Sequence, residues 1–254
     1  MSSRIFKNAA LAVLVIAAIS FGCASIAKAA APAATGLSKA DVEQIVHDYI
    51  VNNSQLILSS VDDYQKKLLR SGQTDAVEKN REFIFKDTDS PETGNPQGDV
   101  TVVEFMDYNC HYCKVSLPIV LSLLEKDKKL RFIFKDFPIL GPSSELAAKW
   151  ALAAQKQKKY FEFHSALMKN KKPLSEELLE KIARDLGMNP DQAKKDATSA
   201  EILLQLNKNL SLASNLGLSG TPAFIVGAEI SFGAISLEEI EKKISDQRGK
   251  KDQK

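Results

Sequence analysis

The sequence predicts an α/β fold with a helical insertion, preceded by an all-α N-terminal extension. Three observations carry that expectation. "VTVVEFMD" (100–107) and "LRFIFKDF" (130–137) are apolar runs rich in β-branched and aromatic residues, and they bracket a helical stretch, so they read as strands joined through a helix. Residues 143–217 are almost wholly helical in pattern, and "GTPAFIVG" (220–227) with "AEISFG" (228–233) then reads as a hairpin. Residues 38–86 repeat apolar positions at three- and four-residue steps.

The elements follow in order. Arg4 and Lys7 precede an apolar core from Ala9 to Gly22, and Ala27-Lys28-Ala29 supplies small residues for cleavage, so 1–29 reads as a signal peptide. The core is shorter than the roughly 20 apolar residues of a membrane span. An uncleaved anchor and a lipoprotein acceptor at Cys23 are the alternatives. Cleavage after Ala29 removes Arg4, Lys7 and Lys28 and leaves acidic and basic side chains near balance. Residues 30–37 read as a disordered leader. Ser38 with Asp41 resembles a capping box, opening a helix through Val42, Ile45, Val46, Tyr49 and Ile50. Asn52-Asn53-Ser54 interrupts it, and Leu56, Ile57, Val61, Tyr64 and Leu68 mark a second helix. Ser71-Gly72 is expected to end that helix, with a shorter one over 74–86.

The region 38–90 is thus a helical unit, and "DTDSPETGNPQGD" (87–99) reads as a linker. From Val100 the α/β domain begins and runs over about 96–247. Its first helix covers Cys110 to about Lys128 with Pro118 inside, and helices at 144–156, 160–169, 175–186 and 191–216 fill the insertion. Ser236 caps a last helix, and 248–254 reads as a flexible tail. At 44% hydrophobic and 26% charged the composition is that of an ordinary folded protein. A net charge of +2 is too small to argue for a nucleic-acid partner.

The chemistry sits at Cys110-His111-Tyr112-Cys113. Signal cleavage removes Cys23 and leaves this pair as the only cysteines. A disulfide between positions three apart closes almost no loop, so its value is chemical and not structural. At a strand-to-helix corner Cys110 meets unpaired N–H groups and the positive end of the helix dipole, which favour its thiolate. His111, when protonated, would add to this. A stabilised thiolate makes the disulfide a stronger oxidant. Zinc is disfavoured because a structural site wants four ligands, and His47 and His164 stand isolated as surface or packing residues. Inert buried thiols are the other alternative.

"EFMDYNCHYCK", with Pro118 five residues after the second cysteine, resembles the active-site segment of DsbA-type thiol:disulfide oxidoreductases. The resemblance extends through "RFIFKDFPILG" and the insertion to "GTPAFIVG". It implies a thioredoxin fold with a helical insertion, with Cys110 and Cys113 as the catalytic pair. It also implies a cis bond at Thr221-Pro222 that exposes the Thr221 backbone beside Cys110 for a substrate strand. Glu104 aligns with the family's buried acid. On the strand it shares a face with Val100, Val102 and Met106, so its pKa should rise, and it could relay the Cys113 proton. Lys135 on the neighbouring strand is expected to pair with it. His111 and Tyr112 form the dipeptide that tunes the pair, and they differ from the Pro-His of the best-known oxidases. Thr221 is more typical of the DsbC-type isomerase branch. The helices of 38–86 resemble those of relatives that oligomerise through such an extension.

The function this implies is an exported, periplasmic or cell-envelope enzyme that forms or isomerises disulfides in cysteine-containing exported proteins. A membrane redox partner would reset the pair, and a homodimer would form through residues 38–86. No metal or organic cofactor is expected. The alternatives are a non-enzymatic chaperone-like or surface binding protein on the same scaffold, and a copper-handling thiol protein, since Cu(I) suits two thiolates.

Overall fold

A computed structural model describes residues 36–252, so the expected signal peptide and the expected leader as far as Thr35 lie outside the described residues. Among the described residues no helix is long and apolar enough to cross a membrane. The chain divides into two units between Ile57 and Leu58.

In the first unit, α1 spans Lys39–Asn52 and opens on a complete capping box between Ser38 and Asp41. Val42, Ile45, Val46, Tyr49 and Ile50 are all exposed, and no residue of α1 is buried. Helix α2 (Ser54–Lys79) crosses the division and runs through Ser71-Gly72 without a break. This overturns the expected stop. One interior glycine costs about 1 kcal/mol relative to alanine, and Gly72 stands in open space where the helix continues on both sides.

The second unit is built on a five-stranded sheet of order β1-β3-β2-β4-β5, with β1 Glu92–Gly94, β2 Val100–Met106, β3 Leu130–Asp136, β4 Ala223–Val226 and β5 Glu229–Phe232. Strands β2 and β3 are parallel, joined by α4 (His111–Lys126), and the other pairings are antiparallel. The insertion comprises α5 (Pro142–Lys156), α6 (Tyr160–Lys169), α7 (Glu176–Asp185), α8 (Pro190–Ala197) and α9 (Ala200–Asn215). The helix expected over 191–216 is two helices, because Ser199 accepts a bond from Ile202 N and caps a new start. Helix α10 (Leu237–Asp252) closes the unit. It continues past the expected tail start, because Arg248 forks onto Asp99 and also reaches Asp127.

The segment 87–99 is not a free linker. Strand β1 pairs with β3, Pro91 O accepts from Phe134 N at 2.9 Å, and Asp99 N donates to Lys129 O at 2.9 Å. Gly98 is required there, since a Cβ would run into the backbone of Lys129 and Leu130. Helix α3 (Arg81–Phe85) also belongs to this unit through the buried Ile84.

The sheet has two cores. One face carries Val102, Met106, Phe132, Phe134 and Phe224 under α4 and the insertion. The other carries Val103, Phe105, Ile133 and Ile225 with Val77, Ile84 and Leu212.

Candidate active site

Strand β2 ends at Met106, and Asp107, Tyr108 and Asn109 turn the chain into α4. Cys110 is the N-cap residue, with extended φ −73° and ψ 121°, and its side chain makes no cap hydrogen bond. The first-turn N–H groups are therefore available to its sulfur. Across the site the Thr221–Pro222 peptide bond is cis, and the Cys110 thiol donates to Thr221 O at 3.2 Å. The structure thus brings Cys110, Cys113, Thr221 and Pro222 together, with both cysteines as free thiols.

The two thiols are unequal. A hydrogen bond from Cys113 favours the Cys110 thiolate most. Burial opposes it, and bonds from Thr221 and from the N–H groups of Cys113 and Tyr112 add to it, bringing Cys110 down to about 5. Burial pushes the Cys113 thiol well up, and its bond to Cys110 and the charge of Glu104 push the same way. The Asp107 N–H bonds Cys113 and offsets only part of this. Cys110 is 7% exposed and Cys113 1%, so an incoming sulfur meets the more acidic thiol first.

Glu104 lies opposite Phe134 on β3 and Phe224 on β4, with 2% exposure. Burial, and then the charge of Cys110, push its carboxyl up to about 8, so it holds a proton at neutral pH. Lys135 does not pair with it. Phe105 is the register partner of Lys135, which puts Lys135 on the opposite sheet face, where its Nζ donates to Asp87 Oδ2 at 2.7 Å and Phe83 O at 2.8 Å. His111 and Tyr112 are exposed, with their rings edge to face at 5.6 Å.

Glu104, Cys110 to Cys113, Lys135, Thr221 and Pro222 all lie in the stretch that matches the DSBA-like thioredoxin domain, residues 101–245. The chain belongs to that family. The thioredoxin-like oxidoreductase of Silicibacter pomeroyi DSS-3 is 38% identical, with 67% of this chain and 98% of that one covered at a TM-score of 0.65. The thiol-disulfide exchange protein alpha-DsbA2 of Wolbachia pipientis is 31% identical over 70% of this chain and 96% of that one, with a TM-score of 0.66. The probable disulfide bond formation protein D of Bacillus anthracis is 30% identical, over 54% of this chain and 70% of its own length. The chain spans only 22% of the length of another relative, the Na(+)/H(+) antiporter NhaA 3 of Salinispora tropica, to which it is 27% identical over 57% of its own residues.

Two groups in this DSBA-like domain were not singled out by the sequence reading. One is Asp107, whose buried carboxylate faces the active-site corner. Its signal was an acid three residues before a cysteine at a strand end, a position that invites an Asx turn. The other is a buried polar cluster behind β3. Tyr160 donates to Asp136 Oδ2 at 3.0 Å, and Tyr108 Oη lies 3.3 Å from His164 Nδ1. Burial pushes Asp136 up to about 7 and His164 down to about 3. His164 is stacked on Tyr160 and Phe161, so it packs the insertion onto the sheet.

Proposed function

We propose that the chain is an exported protein thiol:disulfide oxidoreductase working through Cys110 and Cys113. The observation that carries this reading is the asymmetry of the pair: a thiolate held at about 5 on the N-terminus of α4, over a buried partner whose thiol is pushed up. In oxidation a substrate thiolate attacks the Cys110 sulfur of the Cys110–Cys113 disulfide. A mixed disulfide forms, and Cys113 leaves as a thiolate and takes the proton held by Glu104. A second substrate thiolate then attacks the substrate sulfur of the mixed disulfide and releases the Cys110 thiolate. Two electrons move from the substrate dithiol to the pair, and a membrane redox partner removes them. In isomerisation the Cys110 thiolate attacks a substrate disulfide and is released later by another substrate thiol. Thr221 O, beside Cys110, offers a backbone acceptor to the substrate strand, and His111 and Tyr112 tune the pair from the exposed side.

In the test, Cys113→Ala is expected to accumulate mixed disulfides with cysteine-containing exported proteins on non-reducing gels, and Cys110→Ala to trap none. Thiolate absorbance should titrate well below the free-cysteine value of about 8.5. A midpoint at or above that value overturns Cys110 as the nucleophile.

The N-terminal helices support a second part of the proposal, a homo-oligomer with isomerase capacity, in its simplest form a dimer through 38–86. Val42, Ile45, Val46, Tyr49 and Ile50 on α1 and Val61, Tyr64, Leu68 and Leu69 on α2 are exposed apolar side chains at helical spacing. Self-association covers such stripes by symmetry and holds two Cys110 sites at high effective concentration. Removing everything before residue 92 is a poor test, because it deletes Ile84 from the core and Asp87 from Lys135. The full mature chain carrying Ile45→Glu and Tyr49→Glu should be monomeric by light scattering. It should still oxidise a dithiol peptide and fail to reshuffle a scrambled multi-disulfide protein. A wild-type chain that is monomeric at micromolar concentration overturns the oligomer.

A further inference from the structure

We infer that Asp107 is a positioning residue of the exchange site: its carboxylate locks the cysteine corner to the loop after β3 and to α5, and its backbone carbonyl holds the N–H of Cys110. The inference rests on the exchange reading above. The carboxylate accepts four hydrogen bonds. Oδ1 takes Asn109 N and Ser144 Oγ, each at 2.7 Å. Oδ2 takes Ile139 N at 2.8 Å and Leu140 N at 2.9 Å. Asn109 Nδ2 extends the tie by donating to Ser143 Oγ and Ser144 Oγ at 2.8 and 2.9 Å.

With its side chain held in this way, Asp107 has little freedom at the backbone, and its carbonyl serves the nucleophilic cysteine. Asp107 O accepts from Cys110 N at 3.1 Å. One residue therefore fixes the entry to α4 and a loop that presents Ile139 and Leu140 at 38% and 50% exposure beside the corner. The carboxylate has no cation among these partners. Charge-assisted bonds from backbone N–H groups and a hydroxyl stabilise it in place of an ion pair.

A positioning role and a bare charge predict opposite signs. A nearby carboxylate acting only through its charge disfavours the Cys110 thiolate, so removing it would lower the Cys110 midpoint. Loss of the tie misplaces the groups that stabilise the thiolate, so the midpoint would rise. The titratable groups around the corner are Glu104 on β2, His111 and Cys113 on α4 and Asp136 on β3, and the test variants alter none of them.

The experiment uses full mature chains carrying Asp107→Asn, Asp107→Ala or Ser144→Ala. Thiolate absorbance is titrated against pH, and amide exchange of Ile139 and Leu140 is followed by NMR. Asp107→Asn and Asp107→Ala are expected to raise the Cys110 midpoint and to speed exchange at both amides roughly tenfold or more, the worth of a bond to a charged acceptor. Ser144→Ala, which keeps the charge, should move both readouts the same way and less. A lowered midpoint in the Asp107 variants overturns the inference, as does unchanged exchange at Ile139 and Leu140. If the Asp107 variants fail to fold, Ser144→Ala decides alone, and a midpoint and exchange equal to wild type overturn the inference. Neither readout uses turnover, so a wild-type protein that fails to exchange disulfides would sink the proposed function and leave this test readable.

Discussion

Glu104 and Lys135 sit on neighbouring strands, one register step apart, and face opposite sides of the sheet. Both are almost completely buried. Their fates differ because their neighbours do. Burial pulls the Lys135 pKa down and Asp87 at 2.7 Å opposes it. Asp87 in turn is raised by burial, but Lys135 outweighs that and holds it below the usual carboxylate range. Each partner favours the charged form of the other, and the contact fastens the segment after α3 to β3. Glu104 has the cysteines beside it, so it keeps its proton up to about 8. A buried group given a counter-charge is tied down, and one left beside a titrating thiol keeps its proton within reach of the exchange chemistry we propose. A cleft of about 560 Å³ on the Lys135 face, lined by Phe83, Leu204 and Asn209 among others, belongs to the structural side by the same argument, since its buried cation is already paired.

Breaking the structural pair should have the largest effect on stability. Asp87→Ala strands a buried ammonium and is expected to destabilise the fold by about 3–5 kcal/mol in denaturant melts. The reduction potential of the folded protein should stay at its wild-type value. A potential that moves with Asp87 would erase the distinction between the two faces.

Neutralising the chemical side should do the opposite. The folded state raises the Glu104 pKa above the unfolded value of about 4.3. Its contribution is therefore intact below about 4.3 and is lost as pH rises through about 8. Glu104→Gln removes that loss, and a gain on the order of 1–3 kcal/mol is expected at pH 8 and none near pH 4. The exchange rate should slow, and its pH profile should lose the inflection near 8. A Gln variant that is less stable than wild type at both pH values would contradict the assignment.

A smaller effect separates the redox states. Cys110 is depressed to about 5, so its thiolate stabilises the reduced fold above the unfolded value of about 8.5, and this is lost as pH falls through about 5. Reduced protein should outlast oxidised protein in denaturant at pH 8, with the gap closing towards pH 5. An oxidised form that is the more stable one at pH 8 would point to a reducing or structural pair. The smallest change is expected from His111→Ala, which should raise the Cys110 midpoint slightly, because solvent and salt screen an exposed ring.

What the sequence determined by itself is local. The spacing of Cys110 and Cys113 places both sulfurs on the first turn of a helix, wherever that helix packs. The alternation of β2 puts Glu104 on one face with Val102 and Met106, because strand period is two. Ser38 and Ser236 are caps that act within three residues. Tertiary structure decided everything that depends on two segments meeting. Parity within β3 says nothing of how β3 aligns with β2, and that register sends Lys135 to Asp87 and away from Glu104. Turn-rich composition made 87–99 look like a linker, and only β3 lying beside it turns Glu92–Gly94 into a strand. The inequality of Cys110 and Cys113 also belongs to this level. It comes from the hydrogen bond between the two sulfurs, from the deeper burial of Cys113 and from the bond that Thr221 brings from across the sheet, and desolvation is a property of the surroundings that no stretch of chain carries alone.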